Sequence, residues 1–205
     1  MNVLLLNGSP HARGGTYAAL LTVARTLTEE GIAADIVHVG ALPLRGCTAC
    51  GYCKTHGRCV VEDEVVPLSE RLARADGLVL GSPVYYASPN GNFLGLLDRL
   101  FHSAACDLRM KVGAAVVCAR RGGLSAAFDV LNKYFFISGM PVASGQYWNS
   151  LHGTSEKDAL QDAEGLQSMR TLGRHMAFLL KSISLGKDAF GLPEKEPPVR
   201  TGFIR

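Results

Sequence analysis

The 205-residue chain has no run of about 18 uninterrupted apolar residues, so no membrane-spanning helix is expected. Met1-Asn2 leads directly into an apolar run with no basic leader segment and no small-residue cleavage site, so a cytoplasmic location is expected. Polar low-complexity tracts and internal repeats are missing too, and with 47% hydrophobic content the chain reads as one compact domain with a sizeable core. Charge of one sign is scarce: the formal net charge is +3, and Lys and Arg are scattered instead of forming a stripe, which disfavours a nucleic-acid partner. No Ser-His-Asp set or carboxylate pair stands out, and His102, His152 and His175 are isolated, with no metal-ligand company at useful spacing.

What is present is an alternation of strands and helices. Val3-Leu4-Leu5-Leu6 suits a strand buried on both faces of a parallel sheet, and Leu20, Leu21, Ala24 and Leu27 recur at helical spacing before a Gly31 stop. Ala34 to Val39 reads as a second strand, Val65 to Arg74 as a helix, and Gly77 to Gly81 as a third strand running into a loop from Ser82 to Tyr86. A helix from about Asn92 to Ser103, a strand Val112 to Cys118, a helix Ala126 to Phe136 and a last strand near Pro141 to Gln146 follow. Ser155 opens an S-x-x-D capping pattern with Asp158 for a long final helix, whose apolar face carries Leu160, Ala163, Leu166, Met169, Leu172, Met176 and Leu179. The expected organisation is α/β: a doubly wound, flavodoxin-like five-stranded parallel sheet of order 2-1-3-4-5 with helices on both faces, spanning residues 1–185, and a C-terminal arm at 186–205. In such a sheet, ligands bind beyond the carboxyl ends of the strands.

Three loops leave that edge. The first, Asn7-Gly8-Ser9-Pro10-His11-Ala12-Arg13-Gly14-Gly15-Thr16, lacks both G-x-G-x-x-G and Gly-Lys-Ser/Thr, and no acidic residue closes strand two to hold a ribose. A terminal monophosphate fits better, ringed by backbone N–H groups at the helix start and by the hydroxyls of Ser9 and Thr16. In the second loop, Ser82 to Ser88, aromatic side chains can wall a planar ring while backbone groups from Val84 to Ala87 meet its polar edge. The third is Ala119-Arg120-Arg121-Gly122-Gly123. The plainer alternatives are a bare strand-to-helix connection, tyrosines used for packing and a solvated basic turn.

Together these loops resemble the flavodoxin-fold NAD(P)H-dependent FMN reductases, through Gly8-Ser9-Pro10, Ser82-Pro83-Val84-Tyr85 and Asp98-Arg99, over about residues 1 to 150. The resemblance implies bound FMN. Its phosphate would rest on Ser9, Arg13, Gly15 and Thr16, and its isoalloxazine against Pro83, Val84, Tyr85, Tyr86 and Ala87 and the loop of Ala119, Arg120, Gly122 and Gly123. His11 stands where Arg is frequent, which leaves Arg13 as the candidate for neutralising the phosphate, and Arg120 is the candidate for placing positive charge near the flavin N1. The resemblance also implies NAD(P)H as a transient donor, a quinone, flavin or other small molecule as acceptor, and a homodimer or homotetramer.

Six cysteines divide unevenly. Cys106 and Cys118 read as small core residues, whereas Cys47, Cys50, Cys53 and Cys59 form C-x2-C-x2-C-x5-C within the loop 46–60. Two-residue gaps turn a chain tightly enough to point successive thiolates at adjacent irons. The pattern resembles that of iron–sulfur flavoproteins, which carry a [4Fe–4S] cluster and FMN on this fold and pass electrons to protein partners such as ferredoxin. Zinc, and reversible thiols or a local disulfide, are the alternatives. Glu62-Asp63-Glu64 reads as a helix N-terminal charge pattern. Tyr147-Trp148, with the sole tryptophan, reads first as core packing, then as a flavin cover or subunit contact.

Overall fold

Continuous apolar runs make the central strands, because a parallel sheet covered on both faces leaves few positions that can stay polar. In the computed structural model, which describes residues 1–199 and 201–203, β1 (Asn2–Asn7) lies between β2 (Ala33–His38) and β3 (Gly77–Tyr85). The sheet continues through β5 (Val112–Ala119) to the edge strand β6 (Ser150–His152). All of these pairings are parallel, and the five strands have the order 2-1-3-4-5 once the two-residue β4 (Ser88–Pro89), which folds back antiparallel on β3, is set aside. This is the expected doubly wound arrangement.

The two-residue period of the strands divides the core. Val3, Leu5, Val79, Val116 and Leu151 face α1 (Gly15–Glu29) and α7 (Ala163–Phe190), while Leu4, Leu6, Leu78, Leu80 and Val117 face α3 (Val65–Arg74), α4 (Gly91–His102) and α5 (Leu124–Ile137). Fully buried Phe93 on α4 and Phe135 on α5 anchor the second layer, and burial of each such side chain stabilises by roughly 1.5–3 kcal/mol. Two short helices, α2 (Tyr52–His56) and α6 (Glu156–Ala159), lie in connections. Among the described residues no helix is long and apolar enough to cross a membrane.

Four boundaries depart from the sequence-based expectation. The segment Pro141 to Gln146 contributes only a bridge of Val142 to Gly113, and the fifth strand is Ser150–His152. Buried Asn149 is the reason: its Nδ2 donates to the Ala115 carbonyl at 3.1 Å and its Oδ1 accepts from Gly145 N at 2.9 Å, folding the intervening residues into an excursion before pairing resumes. β3 does not stop at Gly81 but continues through Tyr85 and turns into β4. Ser155 caps the single-turn α6, whereas the long helix is capped by Asp162, whose side chain accepts from Gly165 N, which leaves Leu160 outside it and half exposed. That helix runs to Phe190, beyond the Gly186 where the tail was expected to begin; of the expected arm, Arg200, Ile204 and Arg205 lie outside the described residues.

Candidate functional site

The first loop is held from below by polar groups that the sheet register brings together. Asn7, fully buried at the end of β1, accepts from Ser9 N at 3.1 Å and donates through Nδ2 to the Ala12 carbonyl at 3.2 Å, while Ser9 Oγ accepts from His11 N at 3.2 Å. His38 is paired with Asn7 across β1 and β2 and donates from Nε2 to the Ser9 carbonyl at 2.8 Å. Gly8 N donates to the Gly81 carbonyl at 2.8 Å. The loop enters α1 through an extended Gly14 with no side-chain cap, so the first amides of the helix have no side-chain acceptor and are free for an anion. Ser9 and Thr16 are buried at this helix start, whereas Arg13 is exposed, its Cζ lying 5.6 Å from the centroid of the Tyr17 ring.

Close approach explains two glycines. A Cβ on Gly15 would lie 2.3 Å from Cys118 Sγ, and one on Gly40, just after β2, would lie 2.2 Å from the Ser9 carbonyl oxygen. Both are far inside van der Waals contact.

At the end of β3 the chain reverses through Tyr86 (φ 50°) and Ala87 (φ 58°), with Tyr85 paired to Ser88. Two consecutive left-handed residues are the backbone of a tight hairpin turn that favours Asn-Gly, so Tyr and Ala here hold strain of order 1–3 kcal/mol each. Tyr86 is fully solvent-exposed, so its ring is not packed in the core, and Tyr85 is nearly half exposed; Pro83 and Val84 are half-buried. The third loop abuts the turn: a Cβ on Gly123 (φ 84°) would lie 2.9 Å from Ala87 Cα. Half-buried Ala119 ends β5, and Arg120, Arg121 and Gly122 are exposed at the rim. Trp148 is 55% exposed, with its ring near those of Phe128 (6.1 Å) and Tyr147 (5.7 Å), so it is not a core residue.

The cysteine loop lies against one stripe of α4, whose residues 92, 95, 99 and 102 share a face at helical spacing. Asn92 Nδ2 donates to the carbonyls of Leu42 (2.8 Å) and Gly40 (3.2 Å), and Gly95 leaves room for Gly46. Arg99 donates to the Arg45 and Val61 carbonyls, each at 3.3 Å, and the Cys53 thiol lies 3.6 Å from the His102 carbonyl. Cys53 rides on α2, a single turn bounded by left-handed Gly51 and Gly57. Cys47, Cys50, Cys53 and Cys59 all line one concavity with Arg99, His102 and Ser103. Among the described residues no three His, Cys, Asp or Glu side chains converge as ligands of a single ion.

Arg99 is the electrostatic centre of this region. Its side chain is 2% exposed, and its fork meets Asp63 through Nη1–Oδ2 (2.6 Å) and Nη2–Oδ1 (2.8 Å), with Nη2 also 3.4 Å from Cys59 Sγ. The Asp63 hydrogen bond raises the Arg99 pKa despite burial, and the Cys59 contact adds to this. Burial would raise Asp63, but the bonds from Arg99 and the Val65 amide hold its carboxyl below the usual carboxylate value. Asp63, one residue before the Glu64 N-cap of α3, thus accepts from Val65 N at 3.1 Å and also clasps α4.

Sequence reading missed Asn7, His38 and Gly40 beneath the first loop, and Asn92 and Gly95 beside the cysteines. A polar residue closing each of two adjacent strands was the one available sign. His152 pairs with Asp162 at 3.3 Å and His175 binds the Ser144 carbonyl, both outside the three loops.

Cys118 is a core residue, as expected, and burial pushes its thiol up to about 11 from 9.0, with the charge of Asp162 adding to this. Below pH 9 the thiol is neutral in both folded and unfolded chains. From there the unfolded chain ionises first, so stability falls with rising pH until about 11, by roughly 2–3 kcal/mol. Urea unfolding of wild type and Cys118→Ala between pH 8 and pH 11 should therefore give a shallower alkaline loss in the variant; parallel curves would contradict the assignment.

Residues 1–154 match the model of the NADPH-dependent FMN reductase family. An iron–sulfur flavoprotein of Methanocaldococcus jannaschii is 30% identical over 191 residues, covering 89% of this chain and 99% of its own length. Among solved structures, RosB with bound 8-demethyl-8-formylriboflavin-5'-phosphate aligns with a TM-score of 0.72 at 16% identity, over 100% of this chain and 92% of that one. A flavodoxin from the domain Archaea aligns with a TM-score of 0.60 at 15% identity, over 88% and 99% of the two chains. These two likenesses concern the fold.

Proposed function

We propose, from the premise that this chain belongs to the NADPH-dependent FMN reductase and iron–sulfur flavoprotein family, that it is an FMN-dependent NAD(P)H oxidoreductase serving a quinone, flavin or other small electron-poor acceptor. The observation that carries this reading is the uncapped N-terminus of α1, reached by a loop already rigid through Asn7 and His38, on the same rim as the strained Tyr86-Ala87 turn and the Gly123 loop. That is a cradle for a phosphate joined to a flat ring. The FMN-type ligand of RosB, on the same fold, supports it.

FMN, when bound, supplies the exchange of electrons between nicotinamide and acceptor. The protein's part is placement. Ser9, Gly15 and Thr16 near the helix start would hold the phosphate, with exposed Arg13 as its counter-charge. Pro83, Val84, Tyr85, Tyr86 and Ala87 would wall one side of the ring, with Ala119, Arg120, Gly122 and Gly123 toward its polar edge. Arg120→Ala is expected to make bound FMN harder to reduce, seen as a lower midpoint potential in a dye-equilibrated titration; an unmoved potential removes that role.

The donor set also fits an iron–sulfur cluster: four cysteines share one concavity, with the buried Arg99 guanidinium 3.4 Å from Cys59 Sγ. Cys47, Cys50, Cys53 and Cys59 would hold a [4Fe–4S] centre, which supplies one-electron capacity. This favours a second reading, relay of electrons to a protein partner such as a ferredoxin. A homodimer or homotetramer would cover Phe136, Ile137, Phe178 and Leu185, all left exposed. Anaerobic isolation with an absorbance spectrum, iron and sulfide assays and NADPH addition tests both readings. Flavin bleached by NADPH supports the enzyme; iron and sulfide with slow bleaching support the relay; colourless protein that binds no added FMN refutes both.

A further inference from the structure

The guanidinium of Arg99 is placed where a cation is expensive. It is 2% exposed, its buried Nε has no hydrogen-bond partner among the described residues, and the carboxylate of Asp63 offsets it. A buried ion pair of this kind seldom adds net stability over well-packed apolar side chains of the same volume. Fold stability alone is therefore a poor account of an arginine at this point of α4. One further contact is more informative: the Nη2 that bonds Asp63 also lies 3.4 Å from Cys59 Sγ, on the wall of the cysteine concavity.

We infer that Arg99 is a positioning residue of the cysteine site: its buried fork, locked by Asp63 and the carbonyls of Arg45 and Val61, holds Cys59 in the concavity and sets the reduction potential of the centre bound there. The inference rests on the iron–sulfur reading above. Arginine suits the task because five fixed donors can meet a carboxylate and a sulfur at once, whereas lysine offers a single mobile point charge. Hydrogen bonds to cluster sulfurs and nearby net charge are the protein's means of tuning such centres. A cation and an N–H donor at Cys59 favour the more negative, reduced state; Asp63 opposes it. The two partners of one ion pair should thus pull in opposite directions, which a merely structural pair would not do.

The test uses anaerobically reconstituted full-length protein with FMN content and far-UV circular dichroism as controls of folding. Arg99→Gln is expected to lower the cluster midpoint potential by about a tenfold change in the reduction equilibrium, ~59 mV for a one-electron couple. Asp63→Asn should raise it by a similar amount, and Arg99→Lys should fall between wild type and Arg99→Gln, with faster loss of iron to a chelator than wild type. Should Arg99→Gln not fold, the isosteric Asp63→Asn and the charge-retaining Arg99→Lys still decide. Potentials that stay at the wild-type value, or that move the same way for both partners, overturn the inference. Wild-type protein that takes up no iron and sulfide overturns the cluster reading itself, a result distinct from an unmoved potential.

Discussion

Gly40→Ala is expected to weaken FMN binding at least ~100-fold, equivalent to ~2.7 kcal/mol. The added methyl group would lie 2.2 Å from the Ser9 carbonyl oxygen, 2.4 Å from the Gly8 oxygen and 2.4 Å from Ser9 C, all backbone atoms that no side-chain rotation can move aside. The loop cannot retreat cheaply. Gly8 is tied to Gly81, Ser9 is tied at its N–H to Asn7 and at its carbonyl to His38, and the Gly40 N–H itself donates to the Asn7 carbonyl at 3.1 Å. Relief therefore requires moving either the first loop or the start of the cysteine loop. A misplacement of even an ångström in a set of fixed amide donors forfeits most of what they contribute. Titration of FMN fluorescence with apoprotein measures the effect, and Gly91→Ala is the control, since its Cβ would meet nothing within 4 Å. An FMN dissociation constant in Gly40→Ala equal to that of the control would remove the loop from the binding site.

The contrast between Gly40 and Gly8-Ser9-Pro10 shows where sequence reading reached its end. A strand buried on both faces and a Gly-rich strand-to-helix turn are local patterns, and β1, α1, α3, α4 and the parallel order followed from them. Gly40, Asn7 and His38 act through the β1–β2 register, a nonlocal pairing that a single sequence does not display. The fifth strand failed for the same reason. Ser150–His152 is too short for any alternation, and it exists because Val117, Cys118 and Ala119 lie beside it; the more apolar Pro141 to Gln146 looks better alone. The four cysteines were legible by spacing. The stripe Asn92, Gly95, Arg99 and His102 that carries them became meaningful only when α4 was seen to face the loop.

Asp63→Ala should cost more stability than any other single change in the cysteine region, about 3–5 kcal/mol by the usual penalty for stranding one member of a buried pair. The asymmetry of the pair decides which partner matters more. Asp63 keeps 25% of its side chain in solvent and can rehydrate if Arg99 is lost, whereas Arg99 at 2% exposure has no water to turn to if Asp63 is lost. Asp63→Ala therefore leaves a charge desolvated, and the double variant Asp63→Ala/Arg99→Met, which removes both charges and retains the volume of the longer side chain, should recover most of the loss. Urea unfolding at matched cofactor content, read as midpoints with unchanged slopes, measures all three. The acid limb supplies an independent sign. Since the folded Asp63 carboxyl titrates below its unfolded value of 3.8, the pair's stabilisation is complete above that value and is lost as pH falls through the lower, folded one. Wild type should lose this increment of stability on acidification, and Asp63→Ala should show none of it. A double variant as unstable as Asp63→Ala alone would mean that packing around Arg99, and not its charge, is what the clasp provides.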